Sequence, residues 1–199
     1  MTILADWQIR DLCTSDTPMI TPFHPTKMRY IDYEEAELIR VPSFGLSSYG
    51  YDIGLSDVGL KLFTDVNCGE VDPRNIDPGI YVEPVIKFAD DGAPYVHVPP
   101  SGFLLGHTPE WFDMPNNVLG NCLGKSTYAR GAVSVIVTPL EPGWKGNLVV
   151  EVVNNCNLPV RVYLNCGIAQ VLFFQGEPCE SGYGDGKYQG QRGTQDAIA

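Results

Sequence analysis

The sequence predicts a mainly β chain, a sandwich or barrel built from many short strands. Three observations carry that expectation. Short apolar runs rich in β-branched residues recur along the chain, and such residues suit a pleated, half-buried surface. Between them lie 16 prolines and 21 glycines, with turns at Asp72-Pro73, Pro99-Pro100, Met114-Pro115-Asn116-Asn117 and Pro142-Gly143. Helical patterning is confined to short pieces. A length of 199 residues with 44% hydrophobic content suits one domain with a real core, not a disordered chain.

Taken in order, residues 3–13 place Ile3, Leu4, Trp7, Ile9 and Leu12 at spacings compatible with a short helix. Residues 33–38 suit another helical turn or a loop. Residues 58–63 and 95–98 alternate in part between apolar and polar, and 102–106 is a short apolar run. Residues 133–138, 148–153, 160–164 and 168–174 are rich in β-branched residues and read as strands. Ser126-Thr127-Tyr128-Ala129-Arg130 is a helical insert between strands. From Gly176 onward, glycines interleave with Tyr183, Lys187, Tyr188, Gln191 and Arg192. That tail cannot build a core of its own, so it is either disordered or folds over a ligand.

Composition excludes several roles. With 13 Lys and Arg against 24 Asp and Glu, the formal net charge is −11. Polyanion affinity comes from neutralising phosphates, so neither nucleic acid nor an anionic membrane is an expected partner. A phosphate-bearing ligand needs a local basic cluster working against the global field. No stretch of about 18 apolar residues is present, and the start lacks the basic region of a signal peptide. A cytoplasmic setting is therefore expected. The six cysteines are scattered, without a CxxC pair, and read as reduced core thiols rather than a disulfide framework.

Four segments carry chemistry. Gly124-Lys125-Ser126-Thr127 superficially resembles the end of a Walker A loop, but the position five before Gly124 is Leu119, so that reading is rejected. What remains is a turn entering a short helix, with Lys125, two hydroxyls and Arg130. It suits either an anion site or a helix cap with solvated charges. In Leu148-Val149-Val150-Glu151-Val152-Val153, period two sets Glu151 on one face with Val149 and Val153. A carboxylate there loses hydration, its pKa rises, and it suits general acid/base work near neutral pH. The alternative is a buried structural ion pair, with Arg130 available as partner under either reading. His24, His97 and His107 are never followed two places on by Glu, and Pro178-Cys179 has no second cysteine, so the zinc-deaminase signature is missing and no zinc is expected. The tail from Tyr183 to Gly193 mixes cations, rings and glycines, as a lid closing on a nucleotide would. A mobile tail with no role has the same composition.

Together these segments resemble the dCTP deaminase family, within the trimeric dUTPase-like superfamily, over nearly the whole chain. The resemblance rests on Ser47-Ser48-Tyr49-Gly50-Tyr51-Asp52-Ile53, Cys122-Leu123-Gly124-Lys125-Ser126-Thr127-Tyr128-Ala129-Arg130 and Val137-Thr138-Pro139-Leu140-Glu141-Pro142. It continues in residues 167–174 and 186–193, in the family's order. It implies a distorted β-barrel or jelly roll with a few short helices, and one domain over 1–199 with 176–199 as a flexible lid. It implies a homotrimer with active sites between subunits, and hydrolytic deamination of dCTP to dUTP and ammonia with no metal at the base. Mg²⁺ would accompany the triphosphate, and dTTP would inhibit at the same site, in a route supplying dUMP and dTTP.

By the same resemblance Glu151 is the general acid/base, with Ser126 positioning water and Arg130 orienting Glu151 or meeting a phosphate. Lys125, Ser126, Thr127, Tyr128, Ala129 and Arg130 form the nucleotide loop, supplied by a neighbouring subunit. Val149 and Val150 offer backbone along the base, and Gln170, Tyr183, Lys187 and Gln191 match further nucleotide contacts. Val149-Val150 stands where many relatives have Thr-Leu, so a threonine hydroxyl is missing here. The rivals are a bifunctional deaminase and dUTPase giving dUMP and pyrophosphate, a dUTPase alone, and a non-catalytic nucleotide-binding trimer.

Overall fold

The computed structural model describes residues 1–31, 38–64 and 69–198. The turn expected at 33–38 lies, apart from Leu38, outside them, as does Cys68. The chain opens with strand β1 (Thr2–Ile3) and helix α1 (Asp6–Cys13). Strands β2 (Ile20–Thr21), β3 (Met28–Ile31), β4 (Ile39–Ser47), β5 (Gly50–Gly54) and β6 (Lys61–Phe63) follow. After a 3-10 turn come β7 (Tyr81–Val82), β8 (Lys87–Phe88), β9 (Pro94–Val98), β10 (Phe103–Asp113) and β11 (Val118–Gly124). Helix α2 (Ser126–Ala129) precedes β12 (Val133–Ile136), β13 (Lys145–Asn154), β14 (Val160–Tyr163) and β15 (Gly167–Gln175).

Among the described residues the strands pair antiparallel, in three sheets. One runs β1-β15-β5-β4-β3, with β11 also on β15; the second runs β12-β13-β10-β6-β7, with β2 also on β10; β14-β9-β8 forms the third. The mainly β class expected from the sequence is what the chain adopts. Residues from all three sheets share one core, which includes Tyr51, Phe112 and Phe173, all fully buried. Burying a ring of that size is worth roughly 2–3 kcal/mol relative to leaving it exposed.

Helix α1 forms where expected. Ile9 and Cys13, one turn apart, are its buried residues. The Ala5 N–H donates to the Gln8 side chain at its start, and Thr14 donates both its N–H and its hydroxyl to the Arg10 carbonyl at its end.

Three features depart from the local pattern. Within 58–63 only Lys61–Phe63 pairs as a strand, because Gly59 turns at a φ of +66°. Strand β10 runs far beyond the apolar stretch at 102–106, crossing Pro109 on a bulge between His107 and Trp111. A bulge tolerates proline because a ladder hydrogen bond is already given up there. Strands β4 and β5 hold Pro42, Gly45 and Gly50 and show no clean alternation, yet they form the middle of a sheet.

Cys13, Cys122, Cys156, Cys166 and Cys179 are free thiols. Burial pushes Cys13, Cys122 and Cys166 up to about 12, so they pack as small apolar groups. Among the described residues no helix is long and apolar enough to cross a membrane.

Candidate active site

Strand β13 alternates as its sequence dictates. Leu148, Val150 and Val152 point into the core, while Val149, Glu151 and Val153 share the opposite face. Glu151 sits in mid-sheet, paired with Leu105 of β10 on one side and Ile136 of β12 on the other. Leu105 in turn pairs with Lys61 of β6, so Lys61, Leu105, Glu151 and Ile136 form one row across four strands.

Leu105 and Glu151 of this row face a cavity of about 600 Å³. Glu151, Val149 and Leu105 line its floor, and Tyr81, Trp144, Tyr183 and Tyr188 line its walls. Glu151 Oε2 is buried and has no hydrogen-bond partner. Desolvation pushes the Glu151 carboxyl up to about 7, only partly offset by its own backbone N–H. A carboxyl poised between its acid and base forms near neutral pH, with an open oxygen in a cavity, can take and return a proton.

The C-terminal segment closes the cavity. The Tyr183 N–H donates to the Pro142 carbonyl, and Trp144 Nε1 donates to the Tyr188 carbonyl at 3.0 Å. Gln191 lies against β13, its side chain donating to the Asn147 carbonyl at 2.8 Å. Asp196 reaches back to Lys61, with 2.6 Å between Oδ1 and Nζ. His107 Nδ1 and Thr194 Oγ1 are 2.9 Å apart, and the Arg192 guanidinium lies 4.4 Å over the Trp111 ring. The tail expected to be either disordered or folded over a ligand is folded against its own chain.

The remaining sequence-derived residues gather on a different surface. Strand β11 ends beside β15, with Leu123 opposite Gln170, and Gln170 is also opposite Asp52 of β5. Gln170 donates to Ser47 Oγ at 3.3 Å. Lys125, at the start of α2, donates to Asp52 Oδ2 at 2.6 Å. Tyr128 anchors α2 in the core, its hydroxyl accepting from the Tyr163 N–H at 3.1 Å. That anchoring leaves Ser126, Thr127, Ala129 and Arg130 exposed. None of the residues 125–130 lines the Glu151 cavity, and no ion pair joins Arg130 to Glu151 within the chain. Lys187 is spent on the Ile198 carbonyl at 2.7 Å. The Val150 side chain lies in the core, whereas Val149 faces the cavity.

The cavity also holds residues that sequence reasoning did not single out: Tyr81, Glu141, Trp144 and Asp196. Glu141 stood within the stretch 137–142 that carried the resemblance, so its place beside the Pro142-Gly143 turn was a usable signal. Tyr81 and Asp196 come from distant parts of the chain and left none. Among the described residues no group of three His, Cys, Asp or Glu side chains could hold a metal ion.

A family model described as dCTP deaminase-like matches residues 3–176. A dCTP deaminase of Coxiella burnetii (strain Dugway 5J108-111) is 43% identical over 202 residues, covering 100% of both chains. One from Halorhodospira halophila (strain DSM 244 / SL1) is 45% identical over 197 residues, covering 98% of this chain and 97% of its own. The crystal structure of 2'-deoxycytidine 5'-triphosphate deaminase from Agrobacterium tumefaciens matches with a TM-score of 0.55 at 16% identity, over 88% of this chain. This chain covers 48% of that one, about half its length, so the likeness speaks for the fold alone. With the matched model spanning most of the residues and relatives 43% and 45% identical over nearly the full length, the chain belongs to the dCTP deaminase-like family.

Proposed function

We propose that the protein hydrolyses dCTP to dUTP and ammonia, with Glu151 as the general acid and base. The observation that carries this reading is Glu151 Oε2, buried, without a partner, and facing a cavity of about 600 Å³. Glu151 takes a proton from water as the water oxygen bonds to C4 of the cytosine, and delivers it to N3. It then moves the hydroxyl proton to the amino group, the C4–N bond breaks and ammonia leaves. One carboxyl held near pH 7 performs both transfers.

Ser126 and Arg130 complete the site from a neighbouring copy in a homotrimer, Ser126 on the water and Arg130 on Glu151 or a phosphate. Their exposure on a surface away from the cavity of their own chain supports this arrangement. Lys125, Thr127, Tyr128 and Ala129 build that loop, while Val149, Val150, Gln170, Tyr183, Lys187 and Gln191 contribute further nucleotide contacts. Mg²⁺ arrives with the triphosphate as part of the substrate. The product feeds dUMP and dTTP formation, with dTTP competing for the same site.

A second reading has one observation in its favour. Glu141 is another carboxylate lining the same cavity, and it could activate a water for cleavage of dUTP to dUMP and pyrophosphate. Incubating the protein with dCTP and Mg²⁺ and separating products by ion exchange distinguishes the two. Accumulating dUTP with ammonia is the expected result. Direct appearance of dUMP and pyrophosphate establishes the bifunctional enzyme, and untouched dCTP overturns both.

A further inference from the structure

We propose that Asn147 is a positioning residue for this reaction, holding the C-terminal segment closed over the cavity from the strand that carries Glu151. It stands four residues before Glu151 on the same face of β13, yet it does not line the cavity. Every polar group it has is used, and the partners fall into two sets.

Above the strand, the Asn147 N–H donates to the Gln191 carbonyl at 3.0 Å, and its own carbonyl accepts from the Gln191 side chain at 2.8 Å. Its Oδ1 accepts from the Gly193 N–H at 3.2 Å. Below, its Nδ2 donates to the Thr108 and Glu110 carbonyls at 3.2 and 3.1 Å, both in the β10 bulge. The neighbouring Gly146 leaves room for the segment to lie this close: a Cβ there would stand 3.0 Å from the Gln191 carbonyl oxygen.

Only an amide fits this position. Its NH₂ meets two carbonyls while its oxygen meets an N–H, so a carboxylate would press oxygen against two oxygens and alanine would leave all three groups unpaired. The place of Gln191 over the cavity is thereby set by the same strand that sets Glu151. The bulge in β10 acquires a purpose, because it turns the Thr108 and Glu110 carbonyls toward Asn147.

The inference rests on the proposed deaminase reaction, and its test has one arm that needs no substrate. Asn147→Ala and Asn147→Asp are compared with wild type for trypsin cleavage after Lys187 and Arg192, without nucleotide. Cleavage about 10-fold faster is expected, with far-UV circular dichroism unchanged. With dCTP, KM should rise about 10-fold while kcat changes less than about 3-fold, a split that a general loss of stability does not produce. Cleavage rates equal to wild type overturn the clamp, as does a freed segment with unchanged KM. If Asn147→Ala does not fold, Asn147→Ser, which keeps one short hydrogen-bonding group, is measured in the same way. Wild-type protein that leaves dCTP untouched refutes the reaction itself, while the protease arm still judges the clamp.

Discussion

Lys125 Nζ lies 2.6 Å from Asp52 Oδ2, and both side chains are largely out of solvent, at 11% and 2% exposure. This pair joins the start of α2 to the middle of the β5 strand. Lys27 approaches the same oxygen at 3.4 Å from the outside, and Ser43 Oγ stands 3.4 Å from it. Strand β5 thereby fixes where the loop carrying Ser126 and Arg130 begins.

Asp52→Ala should destabilise the fold by about 3–5 kcal/mol, because it leaves the Lys125 ammonium buried without its partner. Lys125→Met, which keeps much of the stem volume and leaves Asp52 with Lys27 and Ser43, should cost less. Urea unfolding of the two variants, followed by circular dichroism, gives the comparison. Equal effects would mean that Lys27 does not compensate.

Glu151→Gln should keep the fold and lose turnover by about 10²–10⁴-fold, the usual range for a lost general acid/base. The wild-type rate should in turn respond to pH near the Glu151 pKa of about 7. Steady-state ammonia release across pH 5–9 measures this. Substantial residual deamination in the variant would remove Glu151 from the mechanism.

Ser126 and Arg130 are exposed in their own chain, so Ser126→Ala and Arg130→Ala should change stability by less than about 0.5 kcal/mol. Both should nonetheless lose turnover. Mixing unfolded Arg130→Ala and Glu151→Gln chains and refolding them together should restore about a quarter of wild-type activity, since randomly mixed neighbours supply both groups to that share of sites. No recovery in mixed assemblies that gel filtration shows to be intact would argue that the site lies within one chain.

Glu110 offers a test of stability against pH. It is wholly buried, and desolvation pushes its carboxyl up to about 7, although both oxygens accept from the Gly54 N–H at 3.2 Å. The native state holds this proton to higher pH than the unfolded chain does. Below the unfolded value near 4.5 both states are protonated and nothing is lost. As pH rises from there through 7 the unfolded chain ionises first, so native stability falls, by roughly 3 kcal/mol at most. Glu110→Gln should flatten that slope between pH 4.5 and 7.5, whatever it does to absolute stability. An unchanged slope in urea titrations would mean that the buried carboxyl is not the source.

Legibility in the sequence followed the range of the interaction. The strands at 95–98, 148–153, 160–164 and 168–174 were readable because alternation and β-branching are local properties. Strands β4 and β5 were not, because Pro42, Gly45 and Gly50 break the pattern and pairing with β3, with β15 and with each other holds them extended. At the site, the face of Glu151 followed from period two, while Tyr81 and Asp196, far from it in the chain, could not be placed beside it.

By itself, then, the sequence determined that the chain is mainly β and which face of its central strand carries a desolvated carboxylate. It also held the ordered motifs that mark the family. Only the tertiary structure decided that Lys125 is engaged by Asp52, that residues 125–130 stand away from the Glu151 cavity of their own chain, and that Gln191 and Gly193 of the glycine-rich tail hydrogen-bond to Asn147. The physical reason is that period two records what each residue does to its neighbours along one strand. A bulge carbonyl, an ion pair and a docked tail depend on segments that meet only after the sheets have packed.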